Sequence, residues 1–100
     1  MTVTSLARFA GGNREALIAN CRRAKAIHEK AGAEYFRVGQ IYTGPHAGEW
    51  LVAVRWADWA AYGKAQQTLA SDSAYQQLWA DVVTSGSRLV DRVVVAGIDL

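Results

Sequence analysis

Two histidines are the side chains of this sequence best suited to moving a proton near neutral pH. His28 lies late in a predicted helix, at the edge of its apolar stripe, and His46 lies in a predicted loop beside Pro45. An unperturbed imidazole has a pKa of about 6.5 and can act as an acid or a base on a bound substrate. Each also has a structural explanation: a charge at a helix C-terminus for His28 and a solvated turn for His46. Both interpretations stay open for both residues.

Arginines inside strands are the second candidate set, because arginine resists burial and is unusual in a sheet. Four fall within predicted strands: Arg8, Arg37, Arg55 and Arg92. A planar guanidinium can hold a carboxylate or an enolate through two hydrogen bonds, and we take Arg37 and Arg55 as candidates for steadying an oxyanion. The alternative is cross-strand pairing with Glu34, Glu49 or Asp91, or extension of the side chain past the sheet edge.

Aromatic side chains could line a flat apolar pocket, since tryptophan and tyrosine combine a large apolar surface with one polar group. The sequence has four tryptophans and four tyrosines. The same rings, including Tyr62 and Tyr75, could instead fill the protein core. The candidates for ligand binding are Tyr35, Tyr42, Trp50, Trp56, Trp59 and Trp79.

Several other kinds of site are not expected. His28 and His46 are 18 residues apart and have no supporting cluster of cysteines or carboxylates, so we predict no metal site. The Gly11-Gly12-Asn13 segment lacks the spacing of a nucleotide-binding loop, and no serine lies in a nucleophile elbow. The sequence therefore predicts no cofactor.

Composition places the chain among ordinary globular domains. Its 100 residues fit one domain spanning 1–100, and the net charge of +2 is too small to indicate nucleic acid or a membrane surface as partner. A single cysteine, Cys21, excludes an internal disulfide and fits a reducing compartment. The N-terminal segment lacks the apolar region of a signal peptide, and no apolar run is long enough to span a membrane. We expect a cytoplasmic protein.

Alternating and helical patterns predict the elements that must position these residues. A helix capped by Asn13 is expected to end at Gly32, and a second is capped by Asp58. The pattern restarts near residue 71, where Ser73 and Gln76 have the spacing of a capping box for a short third helix. Residues 43–48 read as a hairpin loop. Strands are predicted at 3–10, 34–42, 50–56 and 88–98.

This order of elements, β-α-β-β-α-(α)-β, has an economical solution. Right-handed crossovers and antiparallel pairing give a four-stranded sheet of spatial order 4-1-3-2, with the helices on one face. The sequence therefore predicts an α+β protein with a ferredoxin-like fold.

Two strands of the predicted sheet carry apolar residues on both faces. In WLVAVRW, residues 50–56, the tryptophans and valines lie on one face, and Leu51, Ala53 and Arg55 lie on the other. In the last strand, Leu89, Val93 and Val95 would share one face. The chain has no third layer to cover the second face, so we expect a homodimer that packs two sheets face to face as an α+β barrel. Such an interface removes about 1,200–2,000 Å² or more from water.

The element order, the two-faced strands and the segment WADWAAYGKAQQTLASDSAYQQLW resemble the dimeric α/β-barrel superfamily, in particular its NIPSNAP-like and antibiotic-biosynthesis-monooxygenase-like members. The resemblance implies a pocket between sheet and helices or within the barrel, and activities that range over cofactor-free monooxygenases, haem-degrading enzymes, lyases and isomerases. The haem-degrading type carries an asparagine in its first strand and a histidine near its second helical region. Residues 3–10 contain no asparagine and no histidine follows His46, so haem degradation is not expected.

Two functions stay open from the sequence. The first is a homodimer that binds a small apolar or aromatic ligand and acts as a cofactor-free monooxygenase, isomerase or lyase, in which His28 or His46 moves a proton. The second is a non-catalytic ligand-binding or interaction module whose barrel is filled by its own side chains. A lumen of about 300 Å³ or more with a convergent histidine or arginine would favour the first function.

Overall fold

The computed structural model describes all 100 residues as one four-stranded sheet with three helices. The helices are α1 (Arg14–Lys30), α2 (Trp59–Ala70) and α3 (Ser73–Thr84). None of them combines the length and the apolar character needed to cross a membrane. The strands are β1 (Val3–Gly11), β2 (Tyr35–Gln40), β3 (Trp50–Trp56) and β4 (Ser87–Ala96).

The sheet has the spatial order β2-β3-β1-β4, and every neighbouring pair is antiparallel. This is the predicted order 4-1-3-2 counted from the other edge. Both helical connections cross the same face of the sheet. As a result β1 lies between β3 and β4 in the sheet, although it is next to neither of them in sequence. The predicted ferredoxin-like α+β fold is confirmed.

Side-chain caps begin the first two helices where the sequence predicts them. Asn13 accepts a hydrogen bond from the backbone N–H of Ala16 at 2.8 Å, and Asp58 accepts one from Ala61 at 2.8 Å. Each bond satisfies an N–H that the first helical turn leaves without a partner.

The cap of α3 differs from the prediction. Asp72 is the capping residue, and its Oδ1 accepts from the N–H groups of Ala74 at 2.8 Å and Tyr75 at 3.2 Å. Ser73 is the first helical residue, and Gln76 bonds to a carbonyl at the end of α2. The predicted capping box of Ser73 and Gln76 is therefore wrong. The carboxylate one residue earlier accepts two hydrogen bonds at once, so the helix begins there.

One sheet face, called the helix face here, packs against the helices. The predicted division of β3 into two residue sets agrees with the structure, and the set with Val54 and Trp56 is the one buried under the helices, whereas Leu51 is exposed. Trp56 is 1% exposed and Ala65 of α2 is fully buried beside it. The buried cluster consists of Val3, Phe36, Val54, Trp56 and Ala65.

A bulge at Val90 changes which side chains of β4 reach the helix face. Val90 is skipped in the pairing with β1, because the residues before and after it pair with consecutive β1 residues. The extra residue brings Leu89 to the helix face, which also carries Arg92, while Val93 and Val95 lie on the opposite face. The prediction that Leu89 shares a face with Val93 and Val95 is therefore wrong, since uninterrupted alternation fails at the bulge.

The opposite surface of the sheet, called the outer face here, has no helix over it. Leu51, Val93 and Val95 are 37%, 53% and 47% exposed, which is unusual for apolar residues on one face of a sheet. The outer face carries Leu6, Arg8, Tyr35, Arg37, Leu51, Ala53, Arg55, Asp91, Val93 and Val95.

Replacing the cap of α3 tests its corrected start. Asp72→Ala should lower the free energy of unfolding by about 1 kcal/mol, because two N–H groups lose their acceptor. Ser73→Ala is the matched control and should change stability by less than about 0.5 kcal/mol. Urea unfolding monitored by tryptophan fluorescence measures both values. A larger effect from Ser73→Ala than from Asp72→Ala would contradict the assignment of the cap.

Candidate functional site

A cavity of about 100 Å³ lies between the helix face of the sheet and helices α1 and α3. One chain therefore provides less than the roughly 300 Å³ that favours a ligand-filled lumen. The volume approaches that of cavities of about 150 Å³ that accept benzene, and the cavity is partly open to solvent. Most of its wall is apolar, and the polar groups include Ser5, Asn20, Cys21, His28, Tyr75 and Arg92.

Small side chains on facing elements leave this space. Ser5 and Ala7 of β1 lie in the middle of the helix face, and Cys21 and Ala24 of α1 lie above the sheet in the same wall. Residues 17, 21, 24 and 28 repeat at helical spacing, so they share the stripe of α1 that faces the sheet. His28 is the last member of that stripe, and this position brings its ring to the cavity.

The hydrogen bond of His28 defines which ring nitrogen carries a proton. Its Nδ1 lies 2.7 Å from the carbonyl oxygen of Ala24, and a carbonyl can only accept. Nδ1 must therefore be the N–H, which leaves Nε2 of a neutral ring with a free lone pair. Burial lowers the pKa of His28; the Ala24 hydrogen bond opposes this and the nearby Arg92 charge adds to it. The neutral ring is thus the favoured form at neutral pH.

Aromatic rings enclose the imidazole. The ring centroid of His28 lies 5.2 Å from that of Phe36, 6.3 Å from Trp56 and 5.6 Å from Tyr75, which meets it edge-on. Tyr75 in turn meets Trp79 edge-on at 6.2 Å. These contacts fix the orientation of the base and explain its desolvation.

Arg92 brings a positive charge to the cavity wall. No carboxylate lies within 4 Å of its guanidinium. Arg92 shares the helix face with Val94 and Ala96 by regular alternation, and the bulge at Val90 brings Leu89 to the same face. The sequence identifies Arg92 as an arginine within a strand but gives no reason to prefer it over Arg37 and Arg55, because alternation alone does not show which parity of each strand faces the helices.

Arg37 and Arg55, the arginines proposed from the sequence, lie on the outer face and not in the cavity. Both stack on the ring of Tyr35, with guanidinium carbons 4.2 Å and 4.7 Å from its centroid. Arg55 Nε also lies 2.9 Å from Glu34 Oε1. The structure thus shows for Arg55 the cross-strand pairing that the sequence left as an alternative.

His46 is also remote from the cavity. It is exposed in the loop before β3, with Nδ1 3.7 Å from Glu49 Oε1. Glu49 Oε1 lies 2.7 Å from Arg8 Nε without hydrogen-bond alignment, and Arg8 also lies 3.3 Å from Asp91. His46 therefore joins a charged cluster at the outer face. The structure does not bring the two histidines together.

The aromatic residues proposed as ligand contacts are dispersed. Trp79 lines the cavity, Trp56 is buried in the core and Trp59 is 52% exposed. Tyr42 and Trp50 line a separate depression beside α1. Tyr75 was not selected from the sequence, although its spacing of four residues from Trp79 places both on one face of α3.

The side chains of the cavity include neither a group of metal ligands nor an activated thiol. No three His, Cys, Asp or Glu side chains are grouped as metal ligands. Cys21 lies in the cavity wall, and burial raises the pKa of its thiol, which keeps it protonated and weakly nucleophilic.

Comparison with known families and curated sequences gives a family of undefined role. Residues 1–93 match the model of a domain of unknown function, DUF6854. No curated protein sequence matches the chain.

Solved structures share the fold over nearly the whole chain. SnoaB, a cofactor-independent oxygenase from Streptomyces nogalater, superposes with a TM-score of 0.73 at 13% identity, covering 99% of this chain and 95% of SnoaB. A candidate antibiotic biosynthesis monooxygenase from Chloroflexus aurantiacus gives 0.68 at 15% identity, with 99% and 95% covered. An uncharacterised NIPSNAP-like protein from Burkholderia xenovorans gives 0.64 at 8% identity, with 97% and 85% covered. The resemblance inferred from the sequence is confirmed at the level of the fold.

The lowered pKa of His28 predicts a pH-dependent loss of stability. The unfolded chain takes up a proton at His28 below pH 6.5, whereas the folded chain does so only at lower pH. The contribution of the neutral His28 to the free energy of unfolding is therefore fully present above pH 6.5 and is lost as the pH falls toward the lowered pKa. His28→Gln should reduce this loss between about pH 7.5 and pH 5.5, because the titrating group is gone.

Urea unfolding at each pH measures the effect. His46→Gln, at an exposed position outside the cavity, is the control and should keep the wild-type pH dependence. An equal loss of stability in wild type and His28→Gln would contradict the proposed burial of a neutral imidazole.

Proposed function

We propose that this chain, which belongs to the DUF6854 family, binds a small hydroxylated aromatic molecule in the cavity and removes a proton from it. One observation carries the proposal. His28 is a neutral imidazole in an aromatic wall, with its Nδ1 proton committed to Ala24. Nε2, on the far side of the ring from that bond, is the nitrogen free to accept a proton.

The surroundings of His28 suit a general base. Desolvation keeps the ring unprotonated at neutral pH, so the accepting form is already present. Proton transfer from a phenol or an activated C–H would leave negative charge on the substrate. Arg92, without a carboxylate partner and in the same wall, would stabilise that charge. Trp79 and Tyr75 offer apolar surface to the rings of the substrate.

Oxygenation without a cofactor is the reaction that this arrangement best supports. Deprotonation of a phenol gives a phenolate whose electron-rich ring carbons can be oxidised by O₂ directly. When the ring C–H para to the hydroxyl becomes C=O and the phenol becomes the second C=O of a quinone, one atom of O₂ enters the product and the other leaves as water. A fold neighbour that is itself a cofactor-independent oxygenase supports this choice over isomerisation or lysis.

The second candidate is a binding module without catalysis, and the cavity volume of about 100 Å³ favours it. A cavity of this size holds about one ring, so a larger substrate would extend through the open side. The two candidates differ in whether bound molecules are consumed.

Oxygen uptake distinguishes these functions. Naphthols, hydroxyanthracenes and quinols are screened by thermal shift, and each compound that raises the melting temperature is assayed with an oxygen electrode. His28→Gln should lower the rate by about 100-fold or more while the thermal shift persists, because binding survives and the base is lost. His46→Gln should keep the wild-type rate. Binding without oxygen uptake would show that the chain is a binding module without catalysis. An oxygen-uptake rate in His28→Gln equal to that of wild type would contradict the proposed role of His28 as the base.

We also propose that a second copy of the chain covers the outer face, giving the α+β barrel expected from the sequence. The exposed side chains of Leu51, Val93 and Val95 form an apolar surface without a helix. The charges of Arg8 and Arg55 beside them are already paired with carboxylates. A two-fold contact over these apolar residues would leave Arg37 and Arg88 of the same face without a carboxylate partner within the chain, so we expect these two side chains to stay at its solvated rim.

A charge introduced on the outer face should separate the copies. Val93→Glu should convert a particle of twice 10.9 kDa into one of 10.9 kDa, because each interface would bury two unpaired carboxylates. Val83→Glu is the matched control, since Val83 is 71% exposed on α3. Sedimentation velocity at micromolar concentration gives the mass. A wild-type chain that sediments as a monomer would overturn the barrel.

A further inference from the structure

A second depression, of about 470 Å³, lies along α1 and the β2 edge of the sheet. It is separate from the cavity that holds His28, although Cys21 and Phe36 contribute to both walls. Neither His28 nor Arg92 lines it. Its volume falls within the range of about 300–1,000 Å³ typical of small-molecule sites.

Positive charge lines one side of this depression. Arg14, Arg22 and Lys25 lie in its wall, and their spacing of eight and three residues places them along one stripe of α1. No carboxylate lies within 4 Å of any of the three. The wall contains no aspartate or glutamate at all. Three neighbouring cations thus face the depression without a neutralising group.

The rest of the wall is apolar and aromatic. Ile18 of α1 and Phe36 and Val38 of β2 supply aliphatic and aromatic surface. Trp50 completes the wall, and the guanidinium carbon of Arg14 lies 5.5 Å from its ring centroid. A flat molecule could therefore contact apolar surface while its charged group reaches the cations.

We propose that this depression binds a flat aromatic molecule with a single anionic group, of the aromatic carboxylate class. A small inorganic anion would leave the apolar surface unused, and a neutral aromatic would leave the three cations unpaired. The depression is more open to solvent than the His28 cavity, and the aromatic side chains in its wall favour an aromatic anion over a lipid headgroup. The site does not use His28, so it does not depend on the proton transfer proposed above.

Binding of 2-naphthoate tests this site, with neutral 2-naphthamide as its matched ligand. Calorimetry should show 2-naphthoate binding more tightly than 2-naphthamide, and less tightly as salt is added. In NMR spectra the Gly39 amide and the Trp50 indole N–H should shift on titration, since both residues line the depression.

Charge-removing variants locate the bound anion. Arg22→Gln and Lys25→Gln should each weaken 2-naphthoate by about two- to fivefold, and the double variant by about tenfold, as expected for exposed ion pairs. Lys64 is an exposed residue of α2 and lies outside this depression. Lys64→Gln also removes one positive charge and should bind 2-naphthoate like wild type. His28→Gln should also bind like wild type, because its side chain lies in the other cavity.

Four results would overturn the proposal. One is equal affinity for 2-naphthoate and 2-naphthamide, and another is undiminished binding by the double variant. A third is loss of binding in His28→Gln alone, which would place the ligand in the first cavity. The fourth is displacement of 2-naphthoate by equimolar inorganic phosphate, which would show a general anion surface. None of these results depends on whether the chain consumes oxygen.

Discussion

The packing of α2 on the sheet through Ala65 is the contact on which the rest of the structure depends. Ala65 and Val3 are fully buried, and Trp56 is 1% exposed between them. Alanine lets the helix approach closely, and the indole fills the space that remains. These contacts hold α2 against the sheet at this end of the helix layer. Further along, small residues of β1 and α1 face one another without a large side chain to fill the gap, and the cavity forms there.

His28 lies between the buried core and the cavity. Its ring lies against Phe36 and Trp56 of the core and also against Tyr75 of the cavity wall. The surroundings that desolvate the imidazole are thus the same ones that hold the fold together. The hydrogen bond from Nδ1 to Ala24 and the contacts with these rings hold the imidazole in its part-buried position, where burial disfavours its charged form.

Much of the fold could be predicted from the sequence, whereas most of the site could not. The alternating and helical patterns, with two of the caps, were sufficient to predict the order of the elements and the spatial order of the strands. Both depend on local chemistry and on a few rules of chirality. Which arginine enters the cavity depends on which parity of each strand faces the helices: Arg92 lies on the helix face with Val94 and Ala96, and the skipped residue Val90 brings Leu89 to the same face. Arg37 and Arg55 were preferred because sequence spacing alone does not show which parity of β2 and β3 faces the helices.

The distribution of charge separates the roles of the two sheet faces. On the outer face, Arg8 and Arg55 contact carboxylates and Arg37 stacks on an aromatic ring, whereas Arg88 has no carboxylate within 4 Å. On the helix side, Arg92 and the cations of the α1 stripe, Arg14, Arg22 and Lys25, have no carboxylate partner. Unpaired cations beside apolar surface are costly to bury against another protein but well suited to an organic anion. The paired charges of the outer face are compatible with the proposed self-association, and the unpaired cations of the helix side are compatible with the proposed anionic ligand.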